Sequence, residues 1–447
     1  MDRGSAPAPG AVRPFEFPRV ERHRLANGLV VLAVRSGALP LVTVRAVLDA
    51  GAAAERDGEE GLAWLVAQAL EGGTARRSGD ELAWALERLG AELETRTTWD
   101  TVHAAFTVRS DRLDEALSLL SEIVREPAFA EREVARLRDE QLAEMLRRRT
   151  DPRGLADDSA AHYIFADSSP YARPLLGTEE RVRAHDAAAA RAYHQRRYTP
   201  GNAAVVVVGD VAAEDAVRHM QAAFGDWTAP HDATPTPDTQ PRSTAGGVHI
   251  VNREGAVQSE LRIGHVGVPR HHPDYHALLV ANAALGGAFI SRLNLNLREK
   301  HGFTYGVRSG FAWRRGAGPF IIQTAVASDV TARAVEETLR EVRALQEDGL
   351  SDDELRAARD FLAGTLPLAM QTTEQLSAMV ADLHTFDLPA DYFEHHQQAI
   401  MGISRDDIAR VVRQHIRPDE LAIVVVGNEN VDGVRQVTDV VAATERN

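Results

Sequence analysis

Residues 61–74 read GLAWLVAQALEGGT, an apolar helical run that closes on paired glycines. Much of it recurs. Laid as 63–74 over ALLVANAALGGA at 277–288, seven of twelve positions are identical at an offset of 214. A second pair, AAVVVVGDV at 203–211 and LAIVVVGNE at 421–429, aligns at an offset of 218. Two matches at nearly one offset mark a duplicated structural unit. At 447 residues the chain is too long for a single hydrophobic core. The repeat divides it into two copies of one domain, each about 210 residues.

Between the copies lies DWTAPHDATPTPDTQPRSTAGG (226–247). It is rich in Pro, Thr, Asp and Gly and poor in large apolar residues, the composition of an extended, solvated linker. The expected organisation is an N-terminal extension at 1–20, a first domain at 21–228, a linker at 229–246 and a second domain at 247–447. In the first half, HRLANGLVVLAV (23–34) predicts strand, Asn-Gly turn, strand. Residues 41–51 and 92–109 also pattern as strands, and 59–71, 79–90, 111–124 and 131–149 as helices. The second half repeats this, with strands at 248–252, 260–265, 305–313 and 319–327 and helices at 273–285, 290–299 and 330–348. Strand runs and helix runs are segregated rather than strictly alternating, which predicts an α+β fold and not a doubly wound parallel sheet.

Composition narrows the function. The hydrophobic fraction of 44% is ordinary for a soluble globular chain, and the formal net charge of −15 argues against nucleic acid or an anionic membrane surface as partner. Lys300 is the only lysine, so the basic residues are almost all arginine, a coding bias rather than a phosphate-binding signature. With no cysteine, disulfides and thiolate metal sites are excluded. No stretch reaches the roughly 18 apolar residues of a membrane span. MDRGSAPAPGAVRPF at the N-terminus lacks a signal-peptide core. As written the chain reads as cytoplasmic; a periplasmic chain whose signal had been removed would look the same.

Nearly the whole chain resembles one family. From LANGLVVLAV through GLAWLVAQALEGGT, YHQRRYTPGNAAVVVVGDV and SRLNLNLREKHGFTYGVRS to DLPADYF, it is similar to the pitrilysin/insulysin-type zinc peptidases, the inverzincins. The resemblance is strongest to their bacterial and mitochondrial-processing-peptidase branch. It implies two homologous α/β-sandwich domains per chain, and two chains closing as a clamshell around an inner chamber. Active members carry H-x-x-E-H on the helix after GLA. Two histidines four apart offer imidazoles to zinc from one helix face, a distal glutamate completes the ligands, and the motif glutamate is the base for metal-bound water.

The motif is absent here. Its first histidine falls on Trp64, its glutamate on Ala67 and its second histidine on Gln68. Indole cannot ligate, methyl cannot take a proton, and an amide oxygen is a poor zinc donor. The distal position survives as Glu144, 76 residues after Gln68, and one carboxylate does not hold catalytic zinc; it is expected to pair with a nearby arginine. The chain is therefore expected to bind no metal or cofactor of its own. Other histidines give no replacement: RHHPDYH (270–276) places His272 and His276 across a proline in a solvated helix cap, EHHQQ (394–398) reads as a solvent face, and His103 as a strand histidine of the core or edge.

The second half differs. SRLNLNLREKHGFTYGVRSGF keeps Arg298 and, seven residues on, Tyr305. The resemblance implies that this pair contacts substrate, Tyr305 donating toward the oxyanion and Arg298 gripping a substrate carbonyl. Gly302 is expected to end the helix, leaving Tyr305 at a loop-to-strand junction. LGGAFISRL (285–293) resembles the family's glycine-containing loop but is much shorter than that of the processing-peptidase alpha subunit, so presequence recognition is not implied. The expected function is a zinc-less subunit of a heterodimeric endopeptidase acting on peptides or unfolded proteins, its partner a homologous subunit with H-x-x-E-H and the zinc. A structural subunit, like the peptidase-derived core subunits of the respiratory cytochrome complex, and a peptide-binding homodimer stand as alternatives.

Overall fold

The computed structural model describes residues 10, 13, 15–230, 234, 237–242 and 246–444. Eleven strands among them form two sheets. The first comprises β1 (Glu21–Arg24), β2 (Val30–Arg35), β3 (Leu41–Leu48), β4 (Glu94–Thr97), β5 (Val102–Arg109) and β6 (Ala203–Gly209), in the order β1-β2-β6-β3-β5-β4. The second comprises β7 (Gly247–Asn252), β8 (Gln258–Val266), β9 (Val307–Phe311), β10 (Pro319–Ala327) and β11 (Ala422–Gly427), in the order β7-β11-β8-β10-β9. Apart from the extra β1 the two sheets are one topology. β2 runs parallel to β6 as β7 does to β11, and the remaining neighbours are antiparallel in both. The internal repeat is thus a repeat of fold.

In the first half the helices are α1 (Leu62–Ala69), α2 (Gly79–Leu89), α3 (Leu113–Arg125), α4 (Glu131–Thr150), α5 (Pro152–Ile164), α6 (Glu179–Ala184), α7 (Ala187–Arg197) and α8 (Ala213–Phe224). In the second they include α9 (Tyr275–Asn282), α10 (Thr331–Asp348), α11 (Asp352–Thr365), α12 (Thr373–Thr385), α13 (Tyr392–Gly402) and α14 (Arg405–His415). Most cover one face of their own sheet. Val31, Val44 and Leu48 meet Leu65, Leu117 and Tyr193 in the first core. Leu261 and Ile263 meet Leu278, Val335 and Val342 in the second.

The other face of each sheet is covered by a helix from the opposite half. The central strands β6 (AAVVVVG) and β11 (AIVVVG) are buried at every residue, and strands covered on both faces read as unbroken apolar runs. α12 lies on β3 and β6, where Leu376, Val380 and Leu383 meet Val30, Leu32, Val47 and Val206. α5 lies on β8 and β11, where Ala160 and Ile164 meet Val266 and Val424. A buried arginine marks each exchange. Arg45 stands opposite Val206, and its Nε donates to Ser377 Oγ of α12 at 3.1 Å. Arg262 stands opposite Val424, the repeat equivalent, and its Nε donates to Asp157 Oδ1 of α5 at 2.6 Å.

Local departures from the expected elements have identifiable causes. The helix expected at 59–71 begins at Leu62, because Gly61 takes a left-handed φ of 95°. The Glu55 carboxylate accepts the N–H groups of Gly61 and Ala63 at 3.0 and 2.8 Å, serving as the helix cap. The helix expected at 273–285 ends at Asn282 in a π-helical turn, and much of that expected at 290–299 is a wide π-turn at Asn294–Lys300. The Asn294 side chain is directed at the β9 backbone, its Nδ2 donating to Val307 O at 2.9 Å and its Oδ1 accepting Val307 N–H at 3.1 Å. Such insertions cluster at functional sites. The described part of the expected linker is extended but not free. Ala166 N–H donates to Gln240 O at 3.0 Å, Arg242 N–H donates to Ile164 O at 3.1 Å, and Ser168 Oγ donates to Asp238 at 2.7 Å. Of the expected N-terminal extension, Phe17 stacks on Phe393 with ring centroids 5.0 Å apart.

Two expectations follow. Leu383 is wholly buried between α12 and the first sheet, so Leu383→Ala should lower the unfolding free energy by about 2–5 kcal/mol in denaturant titration. It should do so in one cooperative transition, since each half covers the other's sheet; two separate transitions with only one shifted would contradict the exchange. Burial also pushes His103 and His396 down to about 3 and His194, His265 and His276 down to about 4, whereas it pushes the Glu55 and Asp382 carboxyls up to about 8 and 6. Below pH 6.5 the unfolded chain charges histidines that the folded chain keeps neutral, while the two acids already hold their protons when folded. Five histidines against two acids leave a net uptake of about three protons on unfolding near pH 5. Stability should therefore fall as pH drops from about 6.5 to 4; thermal unfolding that is flat or improves across that window would refute it.

Candidate functional site

The positions of the missing zinc motif lie together. Trp64 and Gln68 on α1 and Glu144 on α4 line one cavity of about 560 Å³, along with Trp99. α1 is held against α4 by Gln141, whose Nε2 donates to Gly61 O and Leu176 O at 3.0 and 2.9 Å. Ala67 points into the core and is fully buried. The groups that face the cavity are already committed. Gln68 Nε2 donates to Thr95 Oγ1 at 3.3 Å, and Thr95 Oγ1 donates to Glu71 at 3.2 Å. Glu144 accepts both branches of Arg147 at 2.7 and 2.6 Å, the partner expected from the sequence, and that guanidinium holds its carboxyl below the usual range. An indole, a carboxamide and an arginine-bound carboxylate do not fit zinc.

Arg298 and Tyr305 line a second cavity, of about 780 Å³, on the second half. Arg298 comes from the π-turn, lies 3.8 Å over the Phe289 ring and binds Glu299 at 2.6 Å. Phe289 belongs to the 285–293 loop, where a Cβ on Gly286 would lie 2.5 Å from Ser309 Oγ. That close approach admits only glycine, and Gly286, Gly287, Ala288 and Phe289 line the cavity. Gly302, at a φ of 64°, ends the turn, so Tyr305 stands in the loop before β9. Its neighbours are tied down: Thr304 Oγ1 donates to Gly306 O at 3.0 Å and accepts Gly306 N–H at 3.1 Å, while Thr324 Oγ1 donates to both Thr304 Oγ1 and Gly306 O. Tyr305 itself is 97% exposed, and among the described residues nothing hydrogen-bonds its hydroxyl. A rigid loop presents a free phenol.

The histidine-rich segments are more embedded than their sequence suggests. His272 Nδ1 accepts Asp274 N–H at 3.1 Å in the turn before α9, whose N-cap residue, Asp274, makes no side-chain cap bond. His276 and His396 are not solvated: they hydrogen-bond to each other at 3.0 Å between α9 and α13, because the two helices pack there. His396 is buried, which corrects the reading of 394–398 as a solvent face. His103 is a strand histidine bonded to Thr101 Oγ1 at 2.9 Å. His272, Asp274 and His415 offer ligand atoms within 4.8 Å of one another, but Asp274 already holds Arg410 and His415 at 2.7 and 2.8 Å. Sequence reasoning missed two residues on the rim of the Tyr305 cavity, Arg153 and Arg308. Strand alternation in VRSGF would have pointed Arg308 outward; nothing in the sequence places Arg153 of the first half beside it.

Comparison with known proteins agrees with this architecture. Insulinase (peptidase family M16) matches residues 30–179, and the peptidase M16 inactive domain matches residues 186–362, the region that holds Arg298 and Tyr305. An uncharacterized zinc protease of Rickettsia bellii is 24% identical over 416 residues, spanning 92% of this chain and 98% of its own. The uncharacterized zinc protease YmxG of Bacillus subtilis is 22% identical over 355 residues, 79% of this chain and 85% of that one. A peptidase M16 inactive domain from Pseudomonas fluorescens superposes with a TM-score of 0.86 at 25% identity, over 92% of this chain and 98% of that chain. A protease from Helicobacter pylori shares the fold, with a TM-score of 0.85 at 20% identity over 92% and 99% of the two chains. With both regions in sequence order and the two-sheet architecture in common, the chain belongs to the peptidase M16 family.

Proposed function

We propose that this chain is the zinc-less subunit of a heterodimeric M16 endopeptidase. Its partner is a homologous chain carrying H-x-x-E-H, and the substrates are peptides or unfolded proteins. The observation that carries the reading is Tyr305: a tyrosine left almost wholly in water on a loop tied down at both neighbours, sharing a cavity with Arg298. Packing gives no reason to hold a side chain so; a ligand does. The zinc, its water and the base are the partner's. Within the closed complex Tyr305 O–H donates to the substrate oxygen as negative charge develops on it, and Arg298 holds a neighbouring carbonyl, oriented by the Phe289 ring beneath it. The first-half cavity of Trp64, Gln68 and Glu144 takes no part in bond cleavage.

Two measurements test this. Purified alone, the chain should carry no stoichiometric zinc and should not cleave a quenched fluorescent peptide; close to one tightly held zinc per chain would sink the reading. In the complex with its H-x-x-E-H partner, Tyr305→Phe should reduce turnover about 100- to 1000-fold, the loss typical of one oxyanion donor. Arg298→Ala should raise KM as well, because a ground-state contact is lost too. Complex formation on gel filtration should not change. Variants that assemble and keep parental turnover would leave the pair without a catalytic role and favour the non-enzymatic alternatives.

A further inference from the structure

We propose that the Tyr305 cavity recognises a carboxylate of the bound peptide, through Arg153 and Arg308. The inference rests on the cavity being the substrate site proposed above.

On a chain of net charge −15, this cavity is lined by four arginines, Arg153, Arg262, Arg298 and Arg308, against one acid, Glu260. Two of the arginines are neutralised locally. Arg262 is 2% exposed and bonded to both Asp157 and Glu260, at 2.6 and 2.9 Å, and Arg298 binds Glu299. Arg153 and Arg308 are exposed, and among the described residues no carboxylate lies within ion-pair distance of either. Two cationic heads therefore stand at the rim without a counter-charge.

Their placement is specific. Arg262, Gln323 and Arg308 stand directly opposite one another on β8, β10 and β9, so they share one face of the sheet, the face that α5 covers. The cross-strand neighbour of Arg308 is thus an amide, where an acid would have quenched the charge. Arg153 is the second residue of α5, and its carbonyl accepts Arg262 Nη2 at 3.4 Å, which places it over the same row. Both arginines therefore present positive charge to one hollow. Guanidinium forks match a carboxylate in charge and geometry. The peptide carboxylate can come from an Asp or Glu side chain or from a free C-terminus.

Fluorescence anisotropy on the full-length chain distinguishes these sources with three labelled peptides of equal length and the same apolar residues. One is end-blocked with two glutamates, one end-blocked with two glutamines, and one carries the glutamines and a free C-terminus. A carboxylate-bearing peptide should bind about tenfold tighter than the blocked glutamine peptide at low salt, with the preference shrinking as salt is raised. Arg153→Gln and Arg308→Gln lie on the surface and should each remove part of that preference, and together all of it, while leaving the blocked glutamine peptide's affinity unchanged. Equal binding of all three peptides, or a preference that survives the double variant, overturns the carboxylate proposal alone. Failure of every peptide to bind overturns it together with the substrate-site reading.

Discussion

Each sheet carries a buried arginine that takes a hydrogen-bond partner from the opposite half. Arg45 on β3 and Arg262 on β8 occupy equivalent positions of the repeat, opposite Val206 and Val424, at 5% and 2% exposure. Removing a guanidinium from water costs several kcal/mol unless partners are supplied, and each receives one from a helix of the other half. The same helices cover the apolar faces of β6 and β11, which would otherwise expose unbroken valine runs. Neither sheet is closed without the other. The exchange of α5 for α12 makes one molecule of two repeats.

That exchange also determines what can be built at each site. α4 and α5 are joined by the single extended residue Asp151, so two consecutive helices of the first half line the two cavities. Glu144 and Arg148 face the first-half cavity, while Arg153 reaches the rim of the second. The Tyr305 cavity is composite in sequence, though it sits on the second sheet.

The two cavities are built differently. In the first, polar groups are spent on one another: Gln68 on Thr95, Glu144 on Arg147, with Ala67 sealed in the core. In the second, the regular helix yields to a π-turn, a glycine loop closes over Ser309, and a phenol and two guanidiniums are left facing water.

Several features were determined by the sequence alone. The 214- and 218-residue offsets predict the duplicated topology, because each match spans an element of fixed role: the first helix, or the central strand. Trp64, Ala67 and Gln68 lack the donor groups of H-x-x-E-H, which is legible without coordinates. Gly302 before Tyr305 predicts the loop-to-strand junction, because a residue at positive φ ends a helix. Tertiary structure decided the rest. Unbroken valine runs do not say which helix covers them. His396 is buried against α9, some 120 residues earlier in the chain. The π-turn at Asn294–Lys300 opens with Asn294 bonded to Val307, a contact that local propensity does not encode. Arg153 and Arg308 are 155 positions apart and meet only because α5 crosses to the second sheet. Periodicity reports which face of an element is apolar; what lies against that face is decided by packing across the whole chain.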